Sequence, residues 1–122
     1  MSTIIKFKLG VMKAFSIILV IFTLGYVPLT LGDVVTEGKS LTFDRKKGNC
    51  LACHAIEDGE LAGNNGPPLI AMKARFPDRE VLFNQIWDPT ANNPNSYMPP
   101  FGKHGVITRE EINKIIEYLY TL

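Results

Sequence analysis

The sequence predicts an all-α protein, three to five short helices joined by long, rigid loops, on three observations. Apolar residues Ile112, Ile115, Ile116 and Leu119 fall at the i, i+3, i+4, i+7 spacing of one helix face. No pair of alternating polar and apolar segments marks a hairpin or sheet. The connecting stretches are dense in glycine, asparagine and proline, which break regular structure. With 122 residues, 46% hydrophobic and 20% charged, the chain suits one small domain and is neither disordered nor collagen-like.

The first segment sets the compartment. Lys6, Lys8 and Lys13 lead into "AFSIILVIFTLGYV", residues 14–27, and small residues follow to Gly32. A basic lead, an apolar run and small residues read as a secretory signal peptide over residues 1–32. The competing reading is an uncleaved membrane anchor, because 18 uncharged residues run from Ala14 to Leu31. Both readings put the remainder outside the cytoplasm, and a periplasmic location is expected. That remainder, residues 33–122, carries ten Lys/Arg and twelve Asp/Glu. It has no basic stripe for nucleic acid, and at this size its core needs help from a bound group or cross-link.

Along this domain, residues 33–49 fit one short helix running into the cysteine motif. Gly59 to Pro68, "GELAGNNGPP", must be loop. Leu69 to Phe76 fits two helical turns before Pro77. Asp78 can cap a helix over Arg79–Trp87, which Asp88-Pro89 stops. Asp88 to Gly105 has four prolines and is long enough to imply a function. Thr108 and Glu111 form a capping box for the last helix.

The chemistry centres on "GNCLACHAI", Gly48 to Ile56, which holds both cysteines. Such a pair can be a redox dithiol, half of a zinc site, or an attachment point for haem. A thioredoxin-type dithiol expects a βαβ context, and none is visible. A structural zinc needs four ligands, for which the domain offers only Cys50, Cys53, His54 and His104, with His54 awkwardly placed beside Cys53. A disulfide at this spacing would be strained. Haem suits every residue: in a helical turn Cys50 and Cys53 share a face and reach one porphyrin edge, and His54 swings over the iron. C-x-x-C-H is the attachment signature of c-type haem. One covalently held haem c would supply the missing core.

The sixth ligand decides the task. Met98, in "SYMPPFG", is the expected partner of His54, since two prolines after it stiffen the backbone. Met72 reads as a core filler in a helical stretch, and His104 as a surface histidine or an alternative ligand. Histidine–methionine ligation closes the iron to substrate and indicates electron transfer. Pro67, in "GPPL", is the candidate carbonyl for the free N–H of His54, the other reading being a plain proline turn. Trp87 is either a donor to a haem propionate or a packed aromatic.

C-x-x-C-H, then G-P-x-L, then a late methionine before a C-terminal helix resembles the class I cytochrome c fold. The match extends further. "KGNCLACHAI" (Lys47–Ile56), "GPPL" (Gly66–Leu69), "RFPDR" (Arg75–Arg79), "IWDP" (Ile86–Pro89), "MPPFGKHGVIT" (Met98–Thr108) and "EYLYTL" (Glu117–Leu122) resemble the SoxX family, over roughly residues 37–122. SoxX is the small cytochrome subunit of the SoxXA thiosulfate-oxidising complex, an L-cysteine S-thiosulfotransferase. The resemblance implies His54 and Met98 as axial pair and a SoxA-like cytochrome subunit as partner. It also implies the carrier protein SoxY as the complex's substrate, and a small soluble electron acceptor. The catalytic centre would belong to SoxA, with none expected in this chain. Other readings are a free monohaem carrier of another respiratory chain and, in a different class, a C-x-x-C thiol oxidoreductase or metal-binding module.

Overall fold

The computed structural model describes residues 30–122, so most of the expected signal segment, residues 1–32, lies outside the described residues. Four helices follow in order: α1 Leu31–Phe43, α2 Met72–Arg75, α3 Arg79–Trp87 and α4 Arg109–Leu119. Two 3-10 turns, Cys50–Ala52 and Pro89–Ala91, lie between them, and no strand occurs among the described residues. The all-α class is as the sequence predicts.

Helices α1 and α4 form the frame. Gly38 of α1 is buried, and a side chain there would run into the Lys114 carbonyl of α4. The two backbones therefore meet where α1 has no Cβ. Lys114 also pairs with Glu37 beside the crossing. Thr42, fully buried, satisfies its hydroxyl by donating to the Gly38 carbonyl at 2.7 Å. Helix α4 opens with the expected capping box between Thr108 and Glu111. Ile112, Ile115, Ile116 and Leu119 are at most 3% exposed. Burying each such side chain contributes about 1.5–3 kcal/mol relative to leaving it in water.

Helix α3 keeps its expected bounds. The Asp78 carboxylate accepts from the Glu80 N–H at 2.9 Å, and Leu82, Phe83 and Ile86 are buried. Two elements differ from expectation. Helix α1 stops at Phe43, short of the cysteines, and residues 44–49 turn instead: the Gly48 N–H reaches the Leu41 carbonyl at 3.2 Å, and Asn49 adopts left-handed backbone with φ 44°. Helix α2 has one turn rather than two. Ala71 sits at φ 49°, which a helix interior does not allow, and the Leu69 N–H is taken by the Ala55 carbonyl at 2.9 Å.

Candidate functional site

The 3-10 turn carries the two thiols. Ala52, Cys53 and His54 N–H groups donate back to Asn49 and Cys50 carbonyls at 2.9 to 3.1 Å, so the five-residue motif is one tight coil. Cys50 and Cys53 are free thiols, and both line the same cavity. Burial pushes the Cys50 thiol up to about 11. A reactive dithiol needs the opposite, a thiolate stabilised by its surroundings. A thioether has no charge to bury, and this wall suits one. No group of three or more His, Cys, Asp or Glu among the described residues is placed to hold a bare metal ion.

His54 is held at one nitrogen. Its Nδ1 donates to the Pro67 carbonyl at 2.7 Å. A carbonyl can only accept, so Nδ1 carries a proton, and in the neutral ring Nε2 is the nitrogen with the lone pair. Gly66 lies against the imidazole; a Cβ there would run into Cε1 and Nδ1 and come within 2.8 Å of Nε2. The Gly66 N–H donates to the Cys53 carbonyl at 2.8 Å, closing the loop onto the motif. Arg75 Nη1 donates to the Pro68 and Ile70 carbonyls at 2.8 and 3.3 Å and pins the segment that carries Pro67.

The cavity they face measures about 600 Å³, within the range of cofactor pockets of roughly 300–1,000 Å³. Helices α3 and α4 supply apolar wall through Leu82, Ile86, Ile115 and Leu119, and the long loop adds Phe101 and Ile107. Met98 lines the same space. Its N–H donates to Ser96 Oγ at 3.2 Å, and its sulfur accepts from Gln85 Nε2 at 3.9 Å. The structure thus brings Cys50, Cys53, His54, Pro67 and Met98 together around one apolar space.

Three other residues sort differently. Met72 is 2% exposed within the core, as expected of a filler, although it also borders the cavity. His104 is exposed on its loop and outside the lining. Of the two roles open to Trp87, the contacts fit the packed aromatic, and it is not among the residues lining the cavity. Its ring stacks on Phe83 at 6.0 Å, lies under the Arg109 guanidinium at 4.4 Å, and fills the space that Gly102 leaves open. It is the packed aromatic.

Gln85 and Arg75 escaped the sequence reading. The signal for Gln85 is a polar residue on the face marked by Leu82 and Ile86. Arg75 gave none, because its partners are two main-chain carbonyls and the Met72 sulfur.

A helical domain whose cavity presents two thiols, an imidazole with a free Nε2 and a thioether has the donor set of a class I cytochrome c domain. The family model described as cytochrome c oxidase, cbb3-type, subunit III matches residues 33–119, and the chain belongs to that cytochrome c family. Proteins of this kind hold haem c covalently and transfer electrons, and the cavity's donors and apolar walls fit that group. The chain is also similar to an uncharacterized lipoprotein of Aquifex aeolicus (strain VF5), 41% identical over 76 residues, which is 62% of this chain. It spans 37% of that relative's length. No helix among the described residues is long and apolar enough to cross a membrane.

Proposed function

We propose that the chain is a monohaem electron-transfer cytochrome, with Cys50 and Cys53 as thioether anchors and His54 Nε2 and Met98 Sδ as axial ligands. The observation that carries this reading is that all four donors border one apolar cavity. The haem, when bound, supplies a one-electron redox centre whose potential histidine–methionine ligation raises. Pro67 holds the His54 proton at Nδ1 and so fixes the ring's tilt and basicity. Apolar walls exclude water, and with both axial positions filled by the chain no position is left for a substrate. Replacing Met98 by Ala should abolish the weak red band of sulfur-to-ferric-iron charge transfer and lower the reduction potential. An unchanged spectrum and potential in that variant would overturn the assignment.

For the partner we infer a SoxXA-type complex in the periplasm. This chain would receive electrons from a SoxA-like cytochrome subunit as thiosulfate is coupled to a cysteine of SoxY, and pass them to a soluble acceptor. Two features support it. Both cysteines belong to the haem motif, leaving no thiol for sulfur chemistry. The segments that resemble SoxX also contact one another in pairs. Arg79 of "RFPDR" bonds Glu117 of "EYLYTL" at 2.7 Å, and Asp88 of "IWDP" pairs with Lys103 of "MPPFGKHGVIT" at 2.7 Å. The Tyr120 hydroxyl donates to the Phe76 carbonyl at 2.8 Å.

The family match favours a second reading, a free monohaem carrier serving a respiratory chain. Purification from the native periplasm, with haem staining and a thiosulfate assay supplied with SoxY, separates the two. A co-purifying second c-type cytochrome and thiosulfate-dependent turnover support the complex. A stable monomer without that activity supports the carrier.

A further inference from the structure

We infer that export processing cuts this chain after Gly25, seven residues ahead of Gly32, and that Thr30, Leu31 and Gly32 stay with the domain as the start of α1. The inference is independent of the axial ligands and of the partner.

Small residues at the −3 and −1 positions of a bond mark an export cleavage site, and the sequence offers that pattern twice. Thr30-Leu31-Gly32 ends the segment read as a leader, and the same tripeptide stands earlier as Thr23-Leu24-Gly25. Distance from the basic lead favours the earlier copy. Nine uncharged residues, Ala14 to Phe22, separate Lys13 from Thr23, within the roughly 7–15 usual for the apolar region of a leader. The later copy lengthens that run to sixteen, Ala14 to Leu29, and includes Pro28.

The fold separates the two copies further. Thr30 is the N-cap of α1, and Asp33 completes a capping box with it. Thr30 Oγ1 accepts from the Asp33 N–H at 3.3 Å, while the Asp33 carboxylate accepts from the Thr30 N–H at 3.1 Å and from its hydroxyl at 2.7 Å. The Thr30 carbonyl takes the Asp33 and Val34 N–H groups at 3.1 and 3.2 Å, and the Thr36 hydroxyl donates to the Gly32 carbonyl at 2.9 Å. A cut after Gly32 falls between the two halves of this box. It also leaves a new ammonium on Asp33 inside the first turn, where the helix dipole disfavours positive charge. Val35, packed against the core, lies on the turn that would fray. A cut after Gly25 leaves every one of these contacts in place. Residues discarded by a peptidase contribute nothing to the folded domain, so a cap that spans the later bond places that bond inside the domain.

The test exports the full chain, with its own N-terminal segment, in a bacterium that matures c-type haem, and weighs the purified protein intact. A mass for residues 26–122 is expected. A start at Asp33, an unprocessed chain or any other start would overturn the inference. The start is read with or without haem, so failure of the haem assignment leaves this result legible. In the same host Gly25→Asp should block processing, whereas Gly32→Asp, which adds a carboxylate in the first turn of α1, should be processed as wild type. The reverse pattern would move the site to Gly32. Two forms exported behind one common leader, beginning at Tyr26 and at Asp33, then isolate the cap. The shorter form should melt about 4–8 °C lower, the shift that loss of one helix cap gives a domain of this size. Equal melting would overturn the place of residues 30–32 in the fold.

Discussion

The histidine side and the methionine side of the cavity are held by different kinds of contact. On the histidine side the partners of the ring and its motif are main chain, with the Arg75 side chain bracing the loop that carries Pro67. The Pro67 carbonyl takes the Nδ1 proton, the Gly66 N–H binds the Cys53 carbonyl, and the Leu69 N–H binds the Ala55 carbonyl. On the methionine side the contacts to Met98 are side chains, Ser96 Oγ and Gln85 Nε2. Its loop is anchored by another, the Lys103–Asp88 pair at 2.7 Å, beside one main-chain bond from the Lys103 N–H to the Trp87 carbonyl at 3.1 Å. A carbonyl is present whatever residue carries it, so the histidine geometry is a property of the backbone path. Side-chain partners can be exchanged one at a time. The imidazole is thus fixed by the fold, and the thioether can be tuned by substitution.

The largest effect should come from blocking the backbone path. Gly66→Ala introduces a Cβ within 2.8 Å of His54 Nε2, and the ring cannot retreat without giving up the Pro67 carbonyl. Overpacking of this kind costs about 1–3 kcal/mol, and here the obstacle is a ring tied to main chain, so the upper value applies. For a domain of this size each kcal/mol lowers Tm by about 4–8 °C. A drop of at least about 12 °C in the haem-loaded protein is therefore expected in a thermal melt, with reduced haem incorporation. A melt within a few degrees of wild type would mean that the histidine side is as forgiving as the methionine side.

The matched cut on the methionine side should be milder. Ser96→Ala removes the acceptor of the Met98 N–H, which is half-buried and which water can then satisfy. The expected loss is about 0.5–1.5 kcal/mol, read in denaturant unfolding, with the C-x-x-C-H attachment intact. Equal losses for Ser96→Ala and Gly66→Ala would erase the contrast between the two sides.

That contrast also explains what could be read in advance. The capping box at Thr108, the Asp78 cap and the apolar face of α4 depend on residues close in sequence, and spacing alone exposes them. Cys50, Cys53 and His54 are likewise one local coil. Pro67 could be named because a metal-bound imidazole demands an acceptor and a rigid proline segment follows the motif at a short distance. Trp87 stayed open in sequence because an indole N–H has many possible partners, and only the fold shows the ring occupied by Phe83, Gly102 and Arg109. Ala71 shortened α2 through a left-handed backbone angle that an alanine does not advertise. Gln85 meets Met98 across 13 residues, a long-range pairing that helical periodicity does not encode.

The smallest predicted effect concerns the join between the two sides. Lys47, three residues before Cys50, pairs with Glu111 in the first turn of α4 at 2.8 Å. That helix begins where the methionine loop ends, so the pair ties the histidine side to the frame that carries the other. The Lys47 ammonium, and after it the Thr108 N–H, hold the Glu111 carboxyl below the usual glutamate range. The folded state therefore binds the Glu111 proton less tightly than the unfolded chain does. Its stabilising contribution is complete above the ordinary glutamate value and is lost as pH falls through the lower folded one. Glu111→Gln keeps an amide able to complete the capping box but removes the charge. Its cost near neutral pH should be about 0.2–1 kcal/mol, as for other partly exposed pairs. The difference in Tm between wild type and variant should shrink as pH drops below about 4. A difference that stays constant through that acid range would show that the glutamate acts through its cap alone, and that no charge joins the two sides.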